Sequence, residues 1–214
     1  MLASFANKKS KRYRMPVLLG YYAGLRISEA LGLCWEDIDF AQGTLTISKQ
    51  LRPSETRHEF YFDPPKTRTS CRTIYISGVL VDELKEWRKQ QNENRLRLGQ
   101  AYQKTYEHIP DRALIVLPVA AEVPNDTRER HIICTNEYGI PVNRNTLTYR
   151  LRKLGTNFHS LRHTHATRLI EAGAKAVDVA ARLGHADVSI TENLYSHDTE
   201  KMARETAELV DKVM

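Results

Sequence analysis

The chain has 214 residues, of which 41% are hydrophobic and 27% charged, so it holds enough apolar residues for a real core and excludes a disordered polar chain. Its net charge of +6 and pI near 9.2 point toward a polyanionic partner without identifying one. No apolar run approaches the ~18 residues of a membrane span, and the opening Met-Leu-Ala-Ser-Phe-Ala lacks the apolar stretch of a signal peptide. The cysteines are Cys34, Cys71 and Cys134, an odd number with no Cys-x-x-Cys pair, which argues against a disulfide framework or a zinc ribbon and fits a reducing cytoplasm.

The first residues are dense in Lys8, Lys9, Lys11, Arg12 and Arg14. An apolar segment from Met15 to Leu33 follows, with Leu18, Tyr22 and Leu25 at helical spacing and Gly24 as a local weakness. Trp35 and Ile38 read as core. Residues 44–51, 58–63 and 71–76 alternate as strands, and the breaker-rich Pro64-Pro65-Lys66-Thr67-Arg68-Thr69-Ser70 joins the last two. One small three-stranded antiparallel sheet is the simplest arrangement. Ser77 is placed to cap a helix whose buried stripe is Leu80, Leu84 and Trp87. Residues 98–130 show no clear period and read as a long connection with helical turns. His131 to Cys134 reads as a short strand, and a basic helix with Arg150, Arg152 and Lys153 follows. Helices are expected over 157–173, about 175–183 and 187–196, with an amphipathic tail carrying Met202, Leu209, Val210 and Val213. The expected fold class is α+β, mainly α-helical, in a single domain over residues 1–214.

Four local patterns carry candidate chemistry. In Asn-Phe-His-Ser-Leu-Arg-His, His159 and Arg162 lie three apart and share a helix face, where a guanidinium and an imidazole together can grip an anion. In Gly-Leu-Arg-Ile-Ser-Glu, Arg26 sits among apolar residues with Glu29 one turn on, close enough to orient it. Lys66 lies in the proline-rich turn. Leu-Gly-His places His185 ten residues before Tyr195 in Leu-Tyr-Ser-His. Each of these has an ordinary structural explanation when read singly; a tyrosine near a helix end is usually a core or surface residue with its hydroxyl hydrogen-bonded.

Their order carries more. Arg-x-x-Glu early, a turn lysine, His-x-x-Arg late, then Gly-His and a tyrosine resemble the tyrosine recombinase (phage integrase) family. The strings Gly-Leu-Arg-Ile-Ser-Glu-Ala-Leu, Trp-Glu-Asp-Ile-Asp, Pro-Lys-Thr, His-Ser-Leu-Arg-His-Thr-His-Ala-Thr, Leu-Gly-His and Leu-Tyr-Ser-His carry the likeness from about residue 15 to 197. Their flavour is similar to integrases of conjugative transposons and temperate phages. The resemblance implies DNA cleavage and rejoining through a 3′-phosphotyrosyl intermediate, as in integration or excision of a mobile element. It makes Tyr195 the nucleophile, Arg26 and Arg162 the phosphate clamp, His159 and His185 their neighbours, Lys66 the proton donor to the leaving oxygen, and Glu29 the brace of Arg26. It implies double-stranded DNA as partner, a monomer in solution that forms a homotetramer on DNA, an accessory excision factor, a cytoplasmic setting, and no cofactor, metal or membrane. Core-binding and arm-binding domains of such proteins would precede residue 1, so the chain reads as the catalytic portion.

Three other readings compete. A type IB topoisomerase or telomere resolvase shares the chemistry. A DNA-binding module without catalysis is opposed by the intact matched positions. A metallohydrolase built on His159, His163 and His165 fails because Ser160 stands where His-Glu-x-x-His needs its glutamate.

Overall fold

A computed structural model describes residues 11–53, 60–65 and 70–185. The chain enters through a 3-10 turn at Lys11–Tyr13 into helix α1, Arg14–Tyr22, whose Met15 to Gly20 are all buried. A helix apolar on every side belongs inside a core, and α1 forms the centre of this one. The helix expected over Met15 to Leu33 is not continuous. It ends at Ala23, and Gly24 turns left-handed with φ +68°. Helix α2, Ile27–Leu31, then starts in a new direction. A Cβ at Gly24 would lie 2.6 Å from Leu183 Cδ2 and 2.7 Å from His165 Cδ2, so both the backbone angle and the space require glycine.

Strands β1 (Ile38–Asp39), β2 (Thr44–Ile47), β3 (Gln50–Pro53), β4 (Phe60–Asp63) and β5 (Arg72–Tyr75) make two sheets rather than one. The first is antiparallel in the order β1-β2-β5, with Leu45 opposite Ile74 and Ile47 opposite Arg72. The second is the β3–β4 pair, with Leu51 opposite Phe62. The expected strand over 44–51 divides at Ser48–Lys49. There Lys49, 8% exposed, turns inward and donates to Asp37 Oδ1 at 2.6 Å.

Helix α3, Gly78–Leu98, begins where Ser77 accepts the Leu80 amide at 3.4 Å, as expected, and buries Leu80, Leu84, Trp87 and Gln91 along one stripe. Residues 98–130, read as a connection, instead hold a third sheet. Strands β6 (Gln103–His108), β7 (Leu114–Pro118) and β8 (Thr127–Arg130) pair antiparallel in the order β7-β6-β8. An ion-pair cluster hid it. Glu107, 5% exposed, sits in mid-sheet and accepts from Arg112 Nε at 3.1 Å and Arg130 Nε at 2.6 Å, so no apolar alternation marks β6. Residues 131–135 form single bridges, Cys34 with Ile132 and Thr135 with Pro141, instead of the expected strand.

Helices α4 (Arg144–Lys153), α5 (Phe158–Glu171) and α6 (Ala176–Leu183) complete the described chain. Asn143 caps α4 through Asn145 N–H at 2.8 Å, and Asn157 caps α5 through Ser160 N–H at 2.9 Å. Leu147 and Leu151 anchor α4 in the main core, while Ala166, Val179 and Leu183 form a small second core between α5 and α6. The fold is thus mixed α and β, as the sequence predicts, with more sheet than expected. The helix expected over 187–196 and the amphipathic tail lie outside the described residues. Among those described, no helix is long and apolar enough to cross a membrane.

Gln91 ties α3 to the segment after β8. Its amide oxygen accepts from Trp35 Nε1 at 2.8 Å, and its nitrogen donates to Ile133 O at 3.0 Å and Thr135 Oγ1 at 2.6 Å. Gln91→Ala leaves one donor and three acceptors, Ile132 O among them, without this partner in a buried site, at a cost of about 2–3 kcal/mol. Denaturant unfolding is expected to show a lower midpoint with an unchanged slope.

Candidate active site

The last carbonyls of a helix have no partner within it. At the end of α6 the chain meets this need in two ways. Gly184 adopts the left-handed conformation with φ 67° and ψ 46°. Its amide donates to Ala181 O, and the His185 amide donates to Ala180 O, both at 3.0 Å, closing a Schellman turn. The next three carbonyls along the chain each accept from a different arginine. Arg182 O takes Arg72 Nε at 2.7 Å, Leu183 O takes Arg162 Nη2 at 2.7 Å, and Gly184 O takes Arg26 Nη2 at 3.1 Å. The arginines come from β5, α5 and the residue that starts α2. The partial negative charge at a helix C-terminus favours cations at that spot.

Glu29 balances part of this charge. It is 3% exposed. Its Oε1 accepts from Arg26 Nη1 at 2.9 Å and Arg72 Nη1 at 3.2 Å, and its Oε2 from Arg72 Nη2 at 3.0 Å and the Arg26 amide at 2.8 Å. Burial acts to raise its pKa, but the hydrogen bonds and charge of Arg72, and then the bonds from Arg26, outweigh it and leave it below the usual carboxylate value. Arg26 is the residue before α2 rather than part of an apolar helix. Its side chain is 41% exposed, against 7% for Arg72.

Arg162 is 3% exposed and also donates to Gly24 O at 2.7 Å. Burial, followed by the charge of Arg26, pushes it down to about 9, so it stays protonated at neutral pH. His185 is pushed down to about 4 by burial and then by Arg162, Arg26, Arg72 and His159, which keeps its ring neutral. His159 is exposed, one turn before Arg162 on α5. The structure therefore brings Arg26, Glu29, Arg162, His185 and His159 into one neighbourhood. Lys66 and Tyr195 lie outside the described residues.

Two participants, Arg72 and Arg182, were not singled out from the sequence, and His165 entered there only in the metallohydrolase reading. Arg72 had a readable signal. Arg72, Ile74 and Ile76 are two apart, so they share the strand face that is buried at Ile74 and Ile76. An arginine on that face requires a buried acceptor. Arg182 donates to His165 Nε2 at 3.1 Å and to Tyr75 O at 2.8 Å, and His165 Nδ1 lies 2.9 Å from Tyr21 O. Both His165 nitrogens are therefore engaged, and among the described residues no group of three His, Cys, Asp or Glu side chains is placed to hold a metal ion.

Burial, and then Arg182, pushes His165 down from 6.5 to about 4. The unfolded chain therefore takes up this proton first as pH falls. The stability due to a neutral His165 is complete above about pH 6.5 and is lost toward pH 4. About 2–3 kcal/mol is expected to disappear between pH 6.5 and 4.5. In His165→Gln, whose amide can make both contacts without titrating, unfolding free energy measured across this range should fall less steeply.

A profile described as the phage integrase family matches residues 1–202. A XerC-like tyrosine recombinase from Caldanaerobacter subterraneus subsp. tengcongensis is 31% identical over 210 residues, covering 95% of this chain and 50% of that protein. The ICEBs1 integrase of Bacillus subtilis is 25% identical over 201 residues, covering 92% and 48%. The chain spans about half the length of these curated relatives. Among solved structures, the Tn1549 transposon integrase in complex with transposon right end DNA matches with a TM-score of 0.69 and 22% identity, over 98% of this chain and 62% of that one, a likeness of fold. The profile covers nearly the whole chain, and with the fold in agreement the chain belongs to the phage integrase family.

Proposed function

We propose that residues 1–214 form the DNA breaking-and-rejoining domain of a site-specific recombinase that moves a mobile element. The observation that carries this reading is the convergence of Arg26, Arg162, Glu29 and His185 at the end of α6, ten residues before Tyr195. In this reading the Tyr195 hydroxyl gives up its proton to a neighbouring base or water as its oxygen attacks the scissile phosphate of double-stranded DNA. A tyrosyl–phosphate bond forms, the bond to the 5′-oxygen breaks, and Lys66 gives that oxygen a proton. The new ester keeps the bond energy, so a 5′-hydroxyl from another strand reverses the step and rejoins DNA.

Charge that grows on the phosphorane needs fixed cations already in place. Arg26, partly exposed and held at two of its nitrogens, offers its remaining donors to the phosphate. Arg162 is nearly buried and meets the phosphate along one edge. His159 adds a donor from the exposed side of α5. His185, neutral near pH 7, adds no charge to the clamp. Guanidinium groups take the role that Mg²⁺ fills in many phosphoryl transfers. Arg150, Arg152 and Lys153, in the last turn of α4, supply contacts to the DNA backbone. The assembly is a monomer in solution and a homotetramer on DNA, aided by an accessory factor in excision, in the cytoplasm.

The decisive experiment uses nicked suicide duplexes of randomised core sequence, in EDTA, resolved on a denaturing gel. A covalent protein–DNA adduct is expected from the wild-type chain and none from Tyr195→Phe. An adduct that survives that substitution, or cleavage abolished by EDTA, would overturn the assignment. Arg162→Lys is expected to slow adduct formation by about 100-fold or more, the scale of losing one preorganised donor. DNA affinity should fall about 10- to 1,000-fold between 50 and 200 mM salt, as for a few neutralised phosphates; a gel-shift titration at several salt concentrations measures the slope.

A further inference from the structure

The proposed clamp uses two arginines, but the helix end holds three. We propose that Arg72 is a positioning residue for phosphoryl transfer, fixing Arg26 through Glu29 and fixing the α6 terminus through Arg182 O; this rests on the function proposed above.

Arg72, unlike Arg162, has every guanidinium nitrogen committed to a protein acceptor. Its side chain is 7% exposed. Nη1 and Nη2 lie 3.2 and 3.0 Å from the two Glu29 oxygens, a fork-to-fork pair. Nε lies 2.7 Å from Arg182 O, and Nη1 also lies 3.0 Å from Ser70 O. Both Glu29 oxygens also accept from Arg26, one from its guanidinium and one from its amide. A carboxylate held by Arg26 alone could swing about its side-chain torsions. Gripped from the opposite side by a planar fork, it presents each oxygen in one place, and so presents Arg26 in one place.

The second arm reaches the residues that lead to His185. Arg182, whose carbonyl Arg72 holds, directly precedes the Leu183 and Gly184 carbonyls that hold Arg162 and Arg26. Arg72 thus fixes the far side of Glu29 and the near end of the carbonyl row at once. It lies on β5, paired along β2 in the first sheet, so the reference frame is the sheet and not a loop. Lysine cannot replace it. A single ammonium can meet one or two of these acceptors but cannot span both Glu29 oxygens and Arg182 O in one plane.

The test combines single-turnover cleavage, DNA affinity and the guanidinium NMR signals of Arg26, in wild type, Arg72→Lys and Arg72→Gln. Arg72→Lys is expected to leave DNA affinity within twofold of wild type, to slow cleavage at saturating DNA by at least tenfold, and to turn a slowly exchanging Arg26 Nε–Hε signal into a freely exchanging one. Combined with Glu29→Gln, its effect on rate should be far less than multiplicative, since both act on one pair. Cleavage within twofold of wild type, slowed cleavage with an unchanged Arg26 signal, or an equal loss of DNA affinity would each overturn the proposal. A wild-type chain that forms no adduct defeats the proposed function, and the Arg26 signal then decides Arg72 by itself. Should both variants fail to fold, the unmodified protein still discriminates, because an Arg26 guanidinium that rotates freely there rules out a fixed pair.

Discussion

Three successive carbonyl oxygens at the end of α6 hold three guanidinium groups. Like charges this close repel, and the arrangement survives only because each arginine answers an unmet helix acceptor and two of them share Glu29. Three cations against one carboxylate leave the site with two net positive charges. Burial first, and then that surplus, lowers Arg162 and His185, and the surplus is the property an anion would meet. The site is therefore electrostatically loaded before any ligand arrives, and the fold bears the cost through burial and backbone bonds.

The rest of the architecture serves this helix end. Helix α1, buried from Met15 to Gly20, sets the floor, and the left-handed turn at Gly24 lets the chain reverse so that Arg26 can point back toward α6. The Gly24 carbonyl is itself an acceptor for Arg162, so the same turn that frees Arg26 also fixes its neighbour. Tyr21 and Tyr75 supply backbone oxygens for His165 and for Arg182, which bind each other. The small second core of Ala166, Val179 and Leu183 presses α6 against α5 and keeps the carbonyl row in register with Arg162. Local backbone geometry, packing and charge converge on one spot.

Sequence disclosed the parts that rest on short-range spacing. Arg26 with Glu29 and His159 with Arg162 are one helical turn apart, and the capping of α3 by Ser77 and the Leu80–Leu84–Trp87 stripe follow from the same periodicity. It failed where buried polar groups replace apolar ones. The sheet of β6, β7 and β8 carried no alternation because Glu107 and its arginines occupy its interior. Lys49 divided a strand that its neighbours' pattern would continue. Gly24 registered as a weak point in a helix, and only the packing of Leu183 and His165 against it makes it an end. Arg72 was legible as an arginine on the buried face of β5, but its partners were not, since a glutamate 43 residues away and a backbone carbonyl 110 residues away leave no local trace.

The bonds to α6 go to backbone oxygens, so the side chains at 182, 183 and 184 carry no record of them. What they fix instead is a length. Adding one residue to α6 would turn its end by about 100° and carry it about 1.5 Å along the axis. All three carbonyls would then face away from their arginines together. The distance from Lys175 to Gly184, counted in residues, is therefore a dimension of the site, as fixed as the identity of any arginine in it.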